Sequence, residues 1–107
     1  MINFPFRVNS SFLNKNTHPI TIPRGEVSYR VLESAELHRE QYIIIYPKGE
    51  RVPGHMYSGV AGRGPYYQLT VRAAPRDVPS YLKLNDKLLV LLVRRYAKNY
   101  AILEFRE

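Results

Sequence analysis

Nine cationic side chains are the residues of this sequence best equipped to bind a partner: Arg24, Arg51, Arg63, Arg72, Arg76, Lys87, Arg94, Arg95 and Lys98. Most are arginines, whose planar guanidinium forks match phosphate oxygens and base edges better than an ammonium does. Arg94-Arg95 ends an otherwise apolar run, so at least one of the two projects into solvent. Arg24 and Arg72 hold comparable places in the two halves of the chain. There they either reach a polyanion together or form helix-end ion pairs with Glu26 and Asp77. The chain has 16 Lys/Arg against 9 Asp/Glu, for a net charge of +7. Residues 1–50 hold six Lys/Arg against five Glu, whereas residues 51–107 hold ten against four acids. A basic surface on a small domain implies a polyanionic partner, most often nucleic acid. The alternative is that the charge only keeps the protein in solution.

Other chemistry finds little support. A nucleophilic triad needs nucleophile, base and orienting group placed together, and neither Ser58 nor Ser80 sits in a Gly-x-Ser-x-Gly turn. His18, His38 and His55 stand singly with no carboxylate at ligand spacing. With no Cys in the chain, thiolate metal sites and disulfides are excluded. No catalytic residue, metal or cofactor is expected. The segment Gly59-Val60-Ala61-Gly62-Arg63-Gly64 lacks the Gly-Lys-Ser/Thr ending of a phosphate loop. It either seats on a phosphate backbone through its N–H groups and Arg63 or is a plain hairpin connection. Tyr42, Tyr46, Tyr66, Tyr67, Tyr96 and Tyr100 lie in or beside strands. Such residues either stack on unpaired bases or fill the core and rim of a barrel.

The elements that must carry these residues are mostly strands. The 107 residues suit a single domain spanning 1–107, and 45% hydrophobic content can build a modest core. Phe4 to Val8 alternates, with Pro5 marking a sheet edge or strand start. Asn9 to Thr17 reads as a polar loop with Phe12-Leu13 turned inward, and Ile20 to Ile22 as a short strand between prolines. Glu26 to Leu37 shows helical spacing at Val27, Val31, Leu32 and Ala35. Tyr42 to Tyr46 is a buried strand by its β-branched content, closed by a Pro47-Lys48-Gly49 turn. Arg51-Val52 and His55 to Tyr57 read as strand fragments, and Ser58 to Pro65 as a mobile loop. Tyr66 to Arg72 is a strand, Arg76 to Leu84 a short helix, Leu88 to Val93 an apolar strand and Tyr100 to Phe105 a closing strand. The expected fold is mainly β with two short helices. It is a small closed β-barrel built from a pseudo-two-fold ββαβ repeat, with halves at about 4–50 and 51–107.

Ile20-Thr21-Ile22-Pro23-Arg24 in the first half, and Thr70-Val71 with Tyr81 to Val90 and Tyr100 to Phe105 in the second, resemble the AbrB/MazE/SpoVT-type domain. Double-psi β-barrels share the same unit. The likeness covers most of residues 66–106 and part of 19–46. Asn85 stands where that family has the Gly of its Gly-Asp turn, and Arg72 where it has Pro. The resemblance implies a small barrel, a monomeric pseudo-dimer or homodimer, that binds DNA in preference to RNA through basic residues on one face. It also implies a transcription regulator or antitoxin-like protein. A non-enzymatic nucleic-acid-binding module is therefore expected, the alternative being a protein-interaction module docking through residues 51–65. The N-terminus lacks the basic leader and apolar core of a signal peptide, and no apolar run is long enough to span a bilayer. A cytoplasmic location with no membrane partner is the expectation.

Overall fold

A computed structural model describes residues 2–25, 29–34, 36–38, 41–71 and 78–106. Seven strands make one barrel-shaped sheet: β1 (Ile2–Arg7), β2 (Ile20–Thr21), β3 (Gln41–Ile45), β4 (Arg51–Ala61), β5 (Gly64–Val71), β6 (Lys87–Arg95) and β7 (Lys98–Phe105). Their order is β1-β6-β7-β3-β4-β5-β2. All neighbours run antiparallel except β3 and β7. The two outer strands, β1 and β2, do not pair with each other, so the barrel is nearly closed rather than sealed. Exchanging the halves of the chain turns the β1–β6 pair into β4–β3 and the β2–β5 pair into itself. β7 has no such counterpart: it pairs antiparallel with β6 and parallel with β3.

Side-chain alternation builds the core. Phe4 and Phe6 of β1, Leu88, Val90 and Leu92 of β6, and Ala101 and Leu103 of β7 all point inward, as period-two strands with one buried face require. Pro5 sits on β1, the outermost strand of the order, where its missing N–H interrupts no ladder on the far side.

Two expectations about the helices are corrected. Asn9 to Thr17 is not all loop: α1 (Ser10–Asn14) forms there because the Asn9 side chain accepts a 2.8 Å hydrogen bond from the Phe12 N–H, an N-cap that supplies a helix start. Val78 to Leu84 is not helical but a pair of turns. Pro79 offers no N–H and disfavours helical backbone at the residue before it. Its carbonyl closes a turn on the Leu82 N–H, and Asp86 accepts from the Lys83 N–H at 2.8 Å. α2 (Tyr29–Ser34) lies within the expected helix, but Leu32 faces the core while Val31 faces out, and Tyr29 and Leu37 join the packing instead.

The largest correction concerns Ser58 to Pro65. These residues are no loop; they continue β4, turn at Gly62-Arg63 and begin β5. Gly54 shows why glycine belongs in this strand. A Cβ there would lie 2.5 Å from Ile44 Cδ1 and 3.2 Å from the Thr70 carbonyl. The glycine lets β4 approach its neighbours closely rather than loosening the chain.

Two buried phenols tie stability to alkaline pH. Burial raises the Tyr46 pKa from 10.0 to about 12, helped by Tyr81 and Glu50 nearby, and pushes Tyr42 up further. The folded state thus favours the neutral phenol. That contribution is complete below pH 10 and is lost as pH rises through the folded-state value. For Tyr46 it amounts to about 2–3 kcal/mol. Chemical denaturation across this window should show stability falling between pH 10 and 12. Tyr46→Phe should fall less steeply; a variant that falls just as steeply would remove Tyr46 as a cause.

Candidate nucleic-acid interface

Strand direction sorts the cationic residues to two ends of the barrel. β6 and β4 run toward the end bearing the Tyr96-Ala97 and Gly62-Arg63 turns, and β2 runs the same way into Arg24. Arg24, Arg63, Arg94, Arg95 and Lys98 therefore all lie toward this end, Arg24 and Arg63 at the tip of one hairpin and Arg94, Arg95 and Lys98 at the turn of another. Lys87 and Arg51 begin their strands at the other end. Arg72 and Arg76 lie outside the described residues.

Two ribbons frame the first end. The β4–β5 ribbon outruns β3, whose last pair is Gln41 with His55; Met56 to Ala61 continue beyond it, about 20 Å of strand. Arg24 braces the tip from the side: its guanidinium donates to the carbonyls of Arg63 and Gly64 and lies 5.9 Å from the Tyr29 ring centroid. Arg24 is thus engaged by the chain's own backbone, while Glu26 and Arg72, its expected ion-pair and repeat partners, lie outside the described residues. Along one face of the ribbon, Tyr57 and Tyr66 lean together with ring centroids 6.0 Å apart. Their hydroxyls are hydrogen-bonded, which holds the Tyr66 pKa above its usual value. Tyr66 lies across Gly59, where a Cβ would come within 2.6 Å of its hydroxyl.

The second ribbon is the β6–β7 hairpin. Its base is tied twice, by Arg94 on Glu36 at 3.1 Å and by Asn99 Nδ2 donating to the Gln41 carbonyl at 3.3 Å. Beyond that base, Arg95 stands directly opposite Lys98, and Tyr96 is fully exposed at 100%. Among the described residues, the side chains of Arg63, Arg95 and Lys98 contact no carboxylate. The described acids nearby are engaged, Glu33 by the Tyr67 hydroxyl at 2.8 Å and Glu36 by Arg94.

The opposite end holds cations that the sequence reading left out. Arg7 pairs across the sheet with Lys87, and the Arg106 N–H donates to the Lys87 carbonyl at 2.8 Å. The three surround a groove of about 280 Å³ with Pro5, Phe6 and Leu88. Only the pairing of β1 with β6 brings Arg7 there, and no spacing in the sequence announces it. Nearby, Tyr81 accepts from the Lys48 N–H at 3.0 Å and donates to Glu50 at 2.7 Å, while the Lys48 ammonium lies 4.6 Å from its ring centroid. Glu50 is held below its usual pKa chiefly by that Tyr81 hydrogen bond.

His18 is buried, with Nδ1 donating to the Phe12 carbonyl at 2.7 Å, and ties α1 to the chain entering β2. No group of three His, Asp or Glu that would hold a metal occurs among the described residues. No helix among them is long and apolar enough to cross a membrane.

Fold and charge define a nearly closed seven-stranded barrel with exposed aromatics toward one end and, among the described residues, cations there that meet no carboxylate. No protein-family model, curated protein or solved structure matches the chain.

Proposed function

We propose that this chain is a non-enzymatic nucleic-acid-binding module, with DNA preferred to RNA, that acts as a transcription regulator or antitoxin-like protein. The carrying observation is that Arg63, Arg95 and Lys98 emerge at one barrel end with no carboxylate partner among the described residues. Cations left unpaired in the folded protein are free to replace the counterions of a phosphate backbone. The two ribbons suit DNA in shape, since a two-stranded β-ribbon fits the major groove. The AbrB-type resemblance points the same way and supplies the regulatory part of the reading.

The test is binding of labelled duplex DNA, single-stranded DNA and RNA across about 50–200 mM salt. Log affinity should fall linearly with log salt, and DNA should bind more tightly than RNA. Weak binding that ignores salt would instead favour docking on a protein. That second reading has its own support in Val60, 83% exposed on the part of β4 that has left β3 behind.

A further inference from the structure

The β6–β7 turn is built against local preference. Tyr96 and Ala97 are the two central residues of a two-residue hairpin turn and have φ of +51° and +64°. Such a turn favours Asn-Gly, because side chains with a Cβ are strained in left-handed backbone. Directly beneath, Arg95 and Lys98 occupy paired positions, where like charges repel. Tyr96 is wholly exposed and has no compensating contact among the described residues. Two unfavourable choices thus coincide on four consecutive residues, above a base held firmly by Glu36 and Gln41. Backbone strain of this kind clusters at functional positions.

We infer that the Tyr96 ring stacks on an unpaired base of a nucleic-acid strand while Arg95 and Lys98 hold the phosphates on either side of that base. The inference rests on the basic end of the nucleic-acid reading above, not on the major-groove fit of the ribbons, and makes a strand with accessible base faces the ligand of the β6–β7 tip. The ring supplies a flat, rigid surface that any base can cover, so the contact is tolerant of sequence. The paired cations, repelling each other in the free protein, gain a shared anionic partner on binding. The tip keeps an aromatic residue in a turn that Asn-Gly would make more stable.

The chain contains no Trp, so Tyr96→Trp introduces a single reporter at the tip. Its emission is followed on adding a single-stranded oligonucleotide of about 12 nucleotides, a duplex of the same sequence, and inorganic polyphosphate as a base-free polyanion. The expected result is quenching by the single strand, much less by the duplex and none by polyphosphate. In parallel, Tyr96→Ala should weaken single-strand binding about ten- to hundredfold with an unchanged salt slope. The double variant Tyr96→Asn, Ala97→Gly should melt at a higher temperature than the parent yet lose the same affinity, which separates loss of the ring from loss of the fold.

Equal quenching by the duplex would overturn the preference for unpaired bases. Oligonucleotide binding with the usual salt slope, no quenching and a silent Tyr96→Ala would overturn the stacking while leaving the basic end as the binding surface. Failure of every polyanion to bind would remove both readings together.

Discussion

Phe12→Ala is expected to remove about 3–5 kcal/mol of folding stability, a large share of the roughly 5–15 kcal/mol that holds a small domain folded. The reason lies in the one place where the sheet is not closed by strand pairing. β1 and β2 are the outermost strands of the order and share no ladder. The chain crosses between them through α1, a helix of five residues too short to persist unaided. Phe12, 1% exposed, fixes it there. Its ring meets Phe6 of β1 edge-on at 5.3 Å and His18, just before β2, at 6.3 Å. Its carbonyl accepts the His18 hydrogen bond. Truncation therefore leaves a void at the seam and loosens both strands that border it. Urea denaturation followed by circular dichroism measures the loss, with Leu13→Ala, at a partly buried position of the same helix, as the milder control. A Phe12→Ala loss no greater than that of Leu13→Ala would mean that the seam is held by something other than this ring.

The strands whose faces differ in polarity are readable from the sequence, because burial of one face imposes the alternation seen in β1, β6 and β7. The long β4–β5 ribbon is not readable in the same way. Its glycines signal a loop to any local reading, yet Gly54 is required by Ile44 on β3 and Gly59 by Tyr66 on β5. Both requirements arise from side chains on the neighbouring strand and appear only once the strands are paired. α1 is signalled by Asn9 as a potential cap, but a cap residue is equally at home in a turn. Pro79, in the middle of the segment, weighs against a helix running to Leu84 more than the apolar spacing weighs in favour.

The candidate site follows the same division. Cationic excess in the second half is a property of composition and needs no fold. Which cations meet is a property of strand order: Arg24 and Arg63 lie far apart in sequence, and antiparallel pairing of β2 with β5 brings them to one tip. Lys87 and Arg94-Arg95 stand at opposite ends of β6, and strand order sets Arg7 and Arg106 beside Lys87. The left-handed Tyr96-Ala97 turn lay beyond sequence reasoning, since neither residue type favours that backbone.

Neutralising Arg63, Arg95 and Lys98 together to alanine is expected to change binding more than any other surface substitution. Each phosphate neutralised by a protein cation contributes about 0.9 to the slope of log affinity against log salt on duplex DNA, and about 0.7 on single strands. Removing three such contacts should flatten the slope by about 2–3. These three side chains suit the experiment because they contact no carboxylate among the described residues, and their removal strands no buried partner. Arg24 and Arg94 do not suit it. Arg24 braces the ribbon tip through two carbonyls and Arg94 holds Glu36, so alanine at either would mix folding with binding. Replacement of Arg95 or Lys98 also relieves their mutual repulsion, so the triple variant should unfold at the same temperature as the parent or slightly above it. Arg7, Lys87 and Arg106 provide the matched comparison, three cations gathered at the opposite end. If alanine at those three flattens the slope while the first triple leaves it intact, the polyanion sits on the Lys87 end and the two ribbon tips have no part in holding it. If only the first triple does so, the ribbons and their cations form the surface on which the phosphates lie.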